Sequence, residues 1–223
     1  MTFELKKWLS YFIPMQVFKI DSKINKTIEI NWNNGKMVLD TENTNYSYGS
    51  LQRILKIGLQ KIGFTKIKSM EQILILGVAG GSVVKTLVNE VGFTKSIIGV
   101  EIDTEIIKIA NHFFELNTIK NFKIINANAY HYMLQNSLKF DLIIIDVFED
   151  TTMPDFLYQT LFINRLSNSI KVNGVILFNT MSLTNDYNNN LSFKKHFNND
   201  YFRVNTVSNL EKYNQLIIID KIK

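Results

Sequence analysis

The sequence predicts an α/β fold built on a mostly parallel seven-stranded sheet, with an antiparallel C-terminal hairpin and a short N-terminal β extension. Three observations carry this. Between residues 73 and 179, strand-length apolar runs alternate with amphipathic stretches. The runs are continuous rather than alternating, as burial on both faces of a parallel sheet requires. The last two β-type runs are separated by too few residues for a parallel crossover.

The elements follow in order. Residues 17–40 contain the short runs VFKI, TIEINW and KMVLD, with Asn33-Asn34-Gly35 as a hairpin turn because Asn and Gly tolerate positive φ. Two or three strands cannot stand alone. This extension, 1–47, is therefore expected to pack on the remaining domain, 48–223, or on another subunit. Ser50 can cap a helix running to about residue 63, with Leu51, Ile54, Leu55, Leu59 and Ile62 as its buried stripe. Then come ILIL (73–76), a glycine turn and a helix over 82–90; SIIGVE and a helix over 104–116; FKII (122–125) and a helix over 129–135. DLIIID (141–146) precedes a helix over about 155–166, GVILFN (174–179) is the fifth strand, and a helix lies near 191–197. YFRVNTV and QLIIID, joined by SNLEKYN, form the closing hairpin. A nicotinamide-binding domain would continue βαβ, whereas an antiparallel final pair marks the Rossmann-like methyltransferase type of sheet.

With 223 residues, 46% of them hydrophobic and 20% charged, the chain can bury one substantial core and is globular rather than disordered. It has no cysteine, which excludes disulfides, thiolate metal sites and cysteine nucleophiles. Its three histidines show no tight ligand spacing, so no metal site is expected. Cysteine-free composition fits a reducing cytoplasm. The first sixteen residues lack an apolar core followed by a small-residue cleavage site, and the other apolar runs are only strand-length, so neither a signal peptide nor a membrane span is expected. Trp8, Leu9, Phe12 and Ile13 are candidates to cover the body or touch a partner. The net charge of +5 comes from scattered lysines rather than one basic face, so no nucleic-acid partner is expected.

The chemistry-bearing residues cluster after the strands. Gly77-Val78-Ala79-Gly80-Gly81-Ser82 follows a buried strand and opens a helix, where small residues admit a ligand and free N–H groups face it. It departs from G-x-G-x-x-G, so a dinucleotide pyrophosphate has weak support. Glu101 ends the second strand, 24 residues after Gly77, where an acid can accept from both ribose hydroxyls; its rival role is a helix cap, which Asp103 fits better. Ile102 can pack on an adenine face, and Asn128 can meet the adenine amino group or cap the next helix. Asp146 lies beyond the carboxyl end of the fourth strand, where ligands bind in open α/β sheets. Glu149 and Asp150 follow in the next loop, Asp150 reading as a solvated acid, and Asp141 as a start-of-strand turn residue. Acids gathered there would attract a cationic substrate to a basic protein.

ILILGVAGGS, GVEID, NANA and FDLIIIDVFED resemble the corresponding segments of the spermidine synthase (polyamine aminopropyltransferase) family, and NWNNGKMVLDTENTNYSYGS resembles the segment joining that family's N-terminal β domain to its catalytic domain. The resemblance implies a class I methyltransferase-like fold and aminopropyl transfer from decarboxylated S-adenosylmethionine to putrescine or a related amine. It implies Glu101 on the ribose, Asn128 in place of an adenine-binding Asp, Asp146 and Glu149 as the D-x-x-D pair that orients or deprotonates the amine, and Tyr48 as the tyrosine of the D-E-x-x-Y-H segment. Gly77, Gly80 and Gly81 match the donor loop, but Gly80 stands where the family has an Asp that contacts the donor's aminopropyl end or the substrate amine, and Thr44, Asn45 and Gly49 replace other motif residues. The expected co-substrate is therefore S-adenosylmethionine or its decarboxylated form, with no metal, and the expected acceptor a small molecule such as a polyamine or other amine. A methyltransferase and a non-catalytic adenosyl-binding or dimerisation module are the alternatives. A homodimer is expected from the family.

Overall fold

The structure, a computed structural model, describes residues 2–41, 45–47, 50–149, 152–181, 184–211 and 213–223, with the backbone alone described for 45–47, 50–51 and 184–186. Tyr48 and Asp150 lie outside the described residues. The chain opens with a helix absent from the sequence reading, α1 (Phe3–Leu9), whose first turn is capped by Thr2. Strands β1 (Met15–Ser22), β2 (Lys26–Asn33), β3 (Lys36–Thr41) and β4 (Asn45–Ser47) form an antiparallel sheet in sequential order. Its β2–β3 turn is the expected one, with Asn34 at φ 49° and Gly35 at φ 71°.

Helices α2 (Ser50–Ile62) and α3 (Phe64–Lys68) lead into the main sheet. Its strands are β5 (Gln72–Leu76), β6 (Ser96–Glu101), β7 (Phe122–Asn126), β8 (Phe140–Ile145), β9 (Ile170–Met181), β10 (Phe202–Leu210) and β11 (Asn214–Lys221), ordered β10-β11-β9-β8-β5-β6-β7. The β5 to β9 pairings are parallel, while β11 slots antiparallel between β9 and β10. The expected mostly parallel sheet and closing hairpin are thus both present.

Continuous apolar strands are explained by what lies on each face. Helices α4 (Ser82–Lys85), α5 (Thr104–Phe113), α6 (Ala129–Gln135), α7 (Thr160–Ser169) and α8 (Thr184–Lys195) connect the strands. Ile73, Ile75, Leu142, Ile144, Leu177 and Leu216 share one core with Ile54, Leu55 and Leu59 of α2. Their neighbours Leu74, Leu76, Ile143, Ile145, Phe178 and Ile217 point the other way, into a core with Met133, Phe162, Leu166 and Phe193. The N-terminal sheet makes a third core: Ile28, Ile30 and Leu39 meet Ile106, Ile109 and Phe114 at α5. The extension therefore packs on the main body, one of the two arrangements expected.

Several helices differ from the periodicity reading. The predicted 82–90 helix is α4 followed by a π-helical turn, Thr86–Val91; the Thr86 hydroxyl donates to the Ser82 carbonyl (2.9 Å), a back-bond that disturbs helical geometry. The predicted 104–116 helix stops at Phe113, because Glu115 takes φ 55°. The 155–166 helix splits into a 3-10 turn, Asp155–Tyr158, and α7, separated by Gln159 in an extended conformation. The last helix begins at Thr184, seven residues before the predicted 191. No helix among the described residues is long and apolar enough to cross a membrane.

Candidate active site

The carboxyl ends of β5, β6 and β8 converge through their backbones. Gly77 N–H donates to the Val100 carbonyl (2.9 Å) and Asp146 N–H to the Leu76 carbonyl (2.8 Å). Gly77 has φ +85°, and a Cβ there would overlap the Asp146 carbonyl oxygen. Gly81, at φ +77°, leaves room for the Leu116 side chain in the same way. Packing of the strand ends therefore demands Gly77, and packing of Leu116 demands Gly81, whatever they offer a ligand.

Glu101 is 6% exposed. One carboxylate oxygen accepts from the Val78 and Ala79 N–H groups (both 3.1 Å), and the other from Asp103 N–H (3.0 Å). It ties the glycine turn to β6. Burial pushes its carboxyl up from the usual range, the three N–H groups pull it back, and the charge of Asp103 pushes it up again. The helix cap is Asp103, which accepts from Glu105 N–H (2.9 Å). Asn128 caps α6, its side-chain oxygen accepting from Tyr130 N–H (2.8 Å) and His131 N–H (3.4 Å). The cap role is thus filled, and Asn128 also faces the cleft.

Asp146 accepts from the Asn179 side-chain amide (2.8 Å), and the Asn179 oxygen accepts in turn from Asn214 (3.3 Å). Part of Asp146 faces the cleft, yet its surroundings desolvate it enough to push its pKa up to about 6; Asn179 opposes the shift and the nearby Glu101 charge adds to it. Asn179 is wholly buried at the inner end of this chain. It escaped the sequence reading, although a polar residue closing the apolar run GVILFN is the same signal that singled out Asp146.

These groups line one solvent-open cleft of about 570 Å³. Gly77, Glu101, Ile102, Asn128, Asp146 and Glu149 all border it, joined by Ala79, Val147, Phe148 and Phe156. Gly80 and Gly81 are not among the described residues of its wall. Glu149 is exposed and exchanges backbone hydrogen bonds with Thr152 (2.9 and 3.0 Å). Ile24, from the β1–β2 turn, is a wall residue that local sequence patterns could not assign, since it reaches the cleft only through tertiary packing.

The chain matches the model of the spermine/spermidine synthase domain over residues 51–210. A polyamine aminopropyltransferase of Vibrio vulnificus (strain CMCP6) is 30% identical over 120 residues, covering 52% of this chain and 40% of that protein. The alignment thus spans less than half of the relative. Among solved structures, a spermidine synthase in complex with the transition state analogue AdoDATO aligns with TM-score 0.70 and 18% identity, over 94% of this chain and 74% of that one. Human methyltransferase-like protein 13, in complex with SAH, aligns with TM-score 0.64 and 17% identity, over 79% and 83% of the two chains. These likenesses establish a Rossmann-like, methyltransferase-type fold. The family match covers well over half of the sequence, and the chain belongs to the spermine/spermidine synthase family.

Proposed function

We propose that this chain is a transferase that moves an aminopropyl group from a sulfonium nucleoside, decarboxylated S-adenosylmethionine, to an amine. The observation that carries the reading is the charge of the cleft: its ionisable wall groups are Glu101, Asp146 and Glu149, with no basic side chain among the described wall residues. Such a wall attracts a cationic donor and an amine. It disfavours a donor that still bears a carboxylate, since like charges 4–6 Å apart repel by about 3–4 kcal/mol at an effective dielectric near 20.

Each residue then has a task. Glu101 keeps lone pairs for the ribose hydroxyls, Ile102 faces the adenine, and Asn128 borders its edge. Asp146, held by Asn179, orients the acceptor and takes up its proton. The amine nitrogen attacks the carbon bonded to sulfur, the C–N bond forms as the C–S bond breaks, and the electron pair leaves on sulfur as a neutral thioether. The proton lost by nitrogen passes to Asp146 or through water to solvent. Because the carbon is already activated, the protein's work is alignment and exclusion of water. A carboxyl whose pKa is about 6 is nearer the operating pH than an ordinary Asp and better matched to receive a proton. The family likeness, the relative's name and the AdoDATO complex support the same reading.

Methyl transfer from S-adenosylmethionine is the second reading, favoured by Gly80 in place of an acid at the aminopropyl end of the donor loop. The nucleoside product decides between them. Incubation with both donors and a panel of amines is expected to yield 5′-methylthioadenosine; S-adenosylhomocysteine as the product would overturn aminopropyl transfer. A soluble assembly with a second copy, in a cytoplasmic setting, is proposed from the family alone.

A further inference from the structure

The turn joining β1 to β2 stands at the mouth of the cleft. Ile24 shares the cleft wall with Glu101, Ile102 and Asn128. Ile24 and Ile102 are 47% and 43% exposed, two aliphatic side chains from distant parts of the sequence facing one space. The turn also borders a second solvent-open space of about 950 Å³, walled by Ile20, Asp21 and Lys23, by Thr104 and Glu105, and again by Ile24 and Ile102. The turn is therefore bordered by solvent-open space and takes no part in the buried cores.

Polar contacts hold it there, and they converge on one residue. Asp103 is 2% exposed. One of its carboxylate oxygens caps α5; the other accepts from both the Ser22 hydroxyl and the Asn25 amide, the latter at 2.7 Å. The Ser22 oxygen in turn accepts from Ile24 N–H (3.0 Å) and Asn25 N–H (3.2 Å), so the turn is wound around the hydroxyl that Asp103 anchors. Apolar packing of Ile28, Ile30 and Leu39 on α5 sets the sheet's position, and these directional bonds set that of the turn. Asp103 N–H also donates to Glu101 (3.0 Å), which joins the anchor directly to the acid of the cleft.

We propose that Asp103 is a positioning residue that fixes the β1–β2 turn, through Ser22 and Asn25, as the outer wall of the donor cleft, with Ile24 as its contact surface for the nucleoside. The proposal rests on the donor-binding reading of that cleft. A wall already anchored need not be ordered when the donor binds, so loosening it weakens donor binding without touching the chemical step.

Calorimetry with 5′-methylthioadenosine and decarboxylated S-adenosylmethionine tests this on the wild type, the double variant Ser22→Ala/Asn25→Ala, Ser22→Thr and Ile24→Ala. The double variant and Ile24→Ala are expected to bind about tenfold more weakly, while Ser22→Thr, which keeps the hydroxyl, binds as the wild type does. In turnover, donor KM rises and kcat at saturating donor stays within about twofold. Ile24 is exposed, so its truncation leaves the melting temperature unchanged and separates wall from fold. Unaltered affinity in both the double variant and Ile24→Ala, with the wild type binding normally, overturns the wall. A wild type that binds neither nucleoside overturns the donor reading, and the wall with it.

Discussion

Replacing Asp146 by Asn should stabilise the ligand-free protein in a pH-dependent way. The Asp146 carboxyl has an ordinary value of 3.8 and rises to about 6 in the fold, chiefly through burial. An acid with a raised folded pKa binds its proton more tightly folded than unfolded, so stability falls as pH rises from about 4 to about 6 and the full cost remains above that. A difference of about 2.2 units at about 1.36 kcal/mol each gives a ceiling near 3 kcal/mol. The cleft-facing part of the side chain is screened by water, which brings the expected gain to about 1–3 kcal/mol. Asn preserves the shape and still accepts from Asn179. Urea denaturation at pH 8 should therefore show Asp146→Asn more stable by that amount, about 3–9 °C in melting temperature for a chain of this size, while at pH 4 the two proteins should coincide. Equal or lower stability at pH 8, or a gain independent of pH, would refute the argument. Activity moves the other way: kcat/KM of the wild type should climb through an apparent pKa near 6, and Asp146→Asn should abolish that limb.

Three further outcomes follow from the same geometry. Asn179→Ala removes the hydrogen bond that holds the Asp146 carboxyl down, so the rising limb of the pH profile should move to higher pH, with an unshifted limb excluding the coupling. Glu101→Gln keeps an acceptor for the glycine turn but loses the charge, and donor binding measured by calorimetry should weaken by about 1–3 kcal/mol; unchanged affinity would remove Glu101 from the ribose. Gly77→Ala forces a Cβ into the Asp146 carbonyl at a positive φ, and denaturation should report a loss above about 2 kcal/mol, whereas a neutral result would mean the strand ends can part.

How much of this was legible depended on whether the signal was local. The strands β5, β6, β7 and β8 fall within one residue of the runs read from sequence, because burial on both faces leaves an unbroken apolar segment with sharp ends. The start of α8 was hidden for the opposite reason. Its first half reads TNDYNNN, and the buried Asn190 gives its amide to the Met181 carbonyl (2.8 Å) while its oxygen accepts from Thr180 (2.8 Å), so part of the inward face is polar and leaves no hydrophobic period. The closing hairpin was inferred from a short connection alone, yet the insertion of β11 between β9 and β10 depends on pairing across the chain that no local pattern carries.

The site shows the same division with a chemical consequence. Glu101, Asn128 and Asp146 stood out because they end strands or follow them, and all three border one cleft. What the sequence could not disclose is that Glu101 already serves Val78, Ala79 and Asp103, or that its charge reaches Asp146 and raises it. Two carboxyls pushed up by burial are a strained arrangement in the ligand-free protein, and each gains when a positive charge enters beside it. A sulfonium donor would draw the Asp146 pKa down and recover stability that burial of the acid costs the fold. Donor binding should then stabilise the wild type more than Asp146→Asn, even though the variant starts from the more stable ligand-free state. Under the proposed function, the acids that cost the fold stability would be the ones that favour a cationic donor.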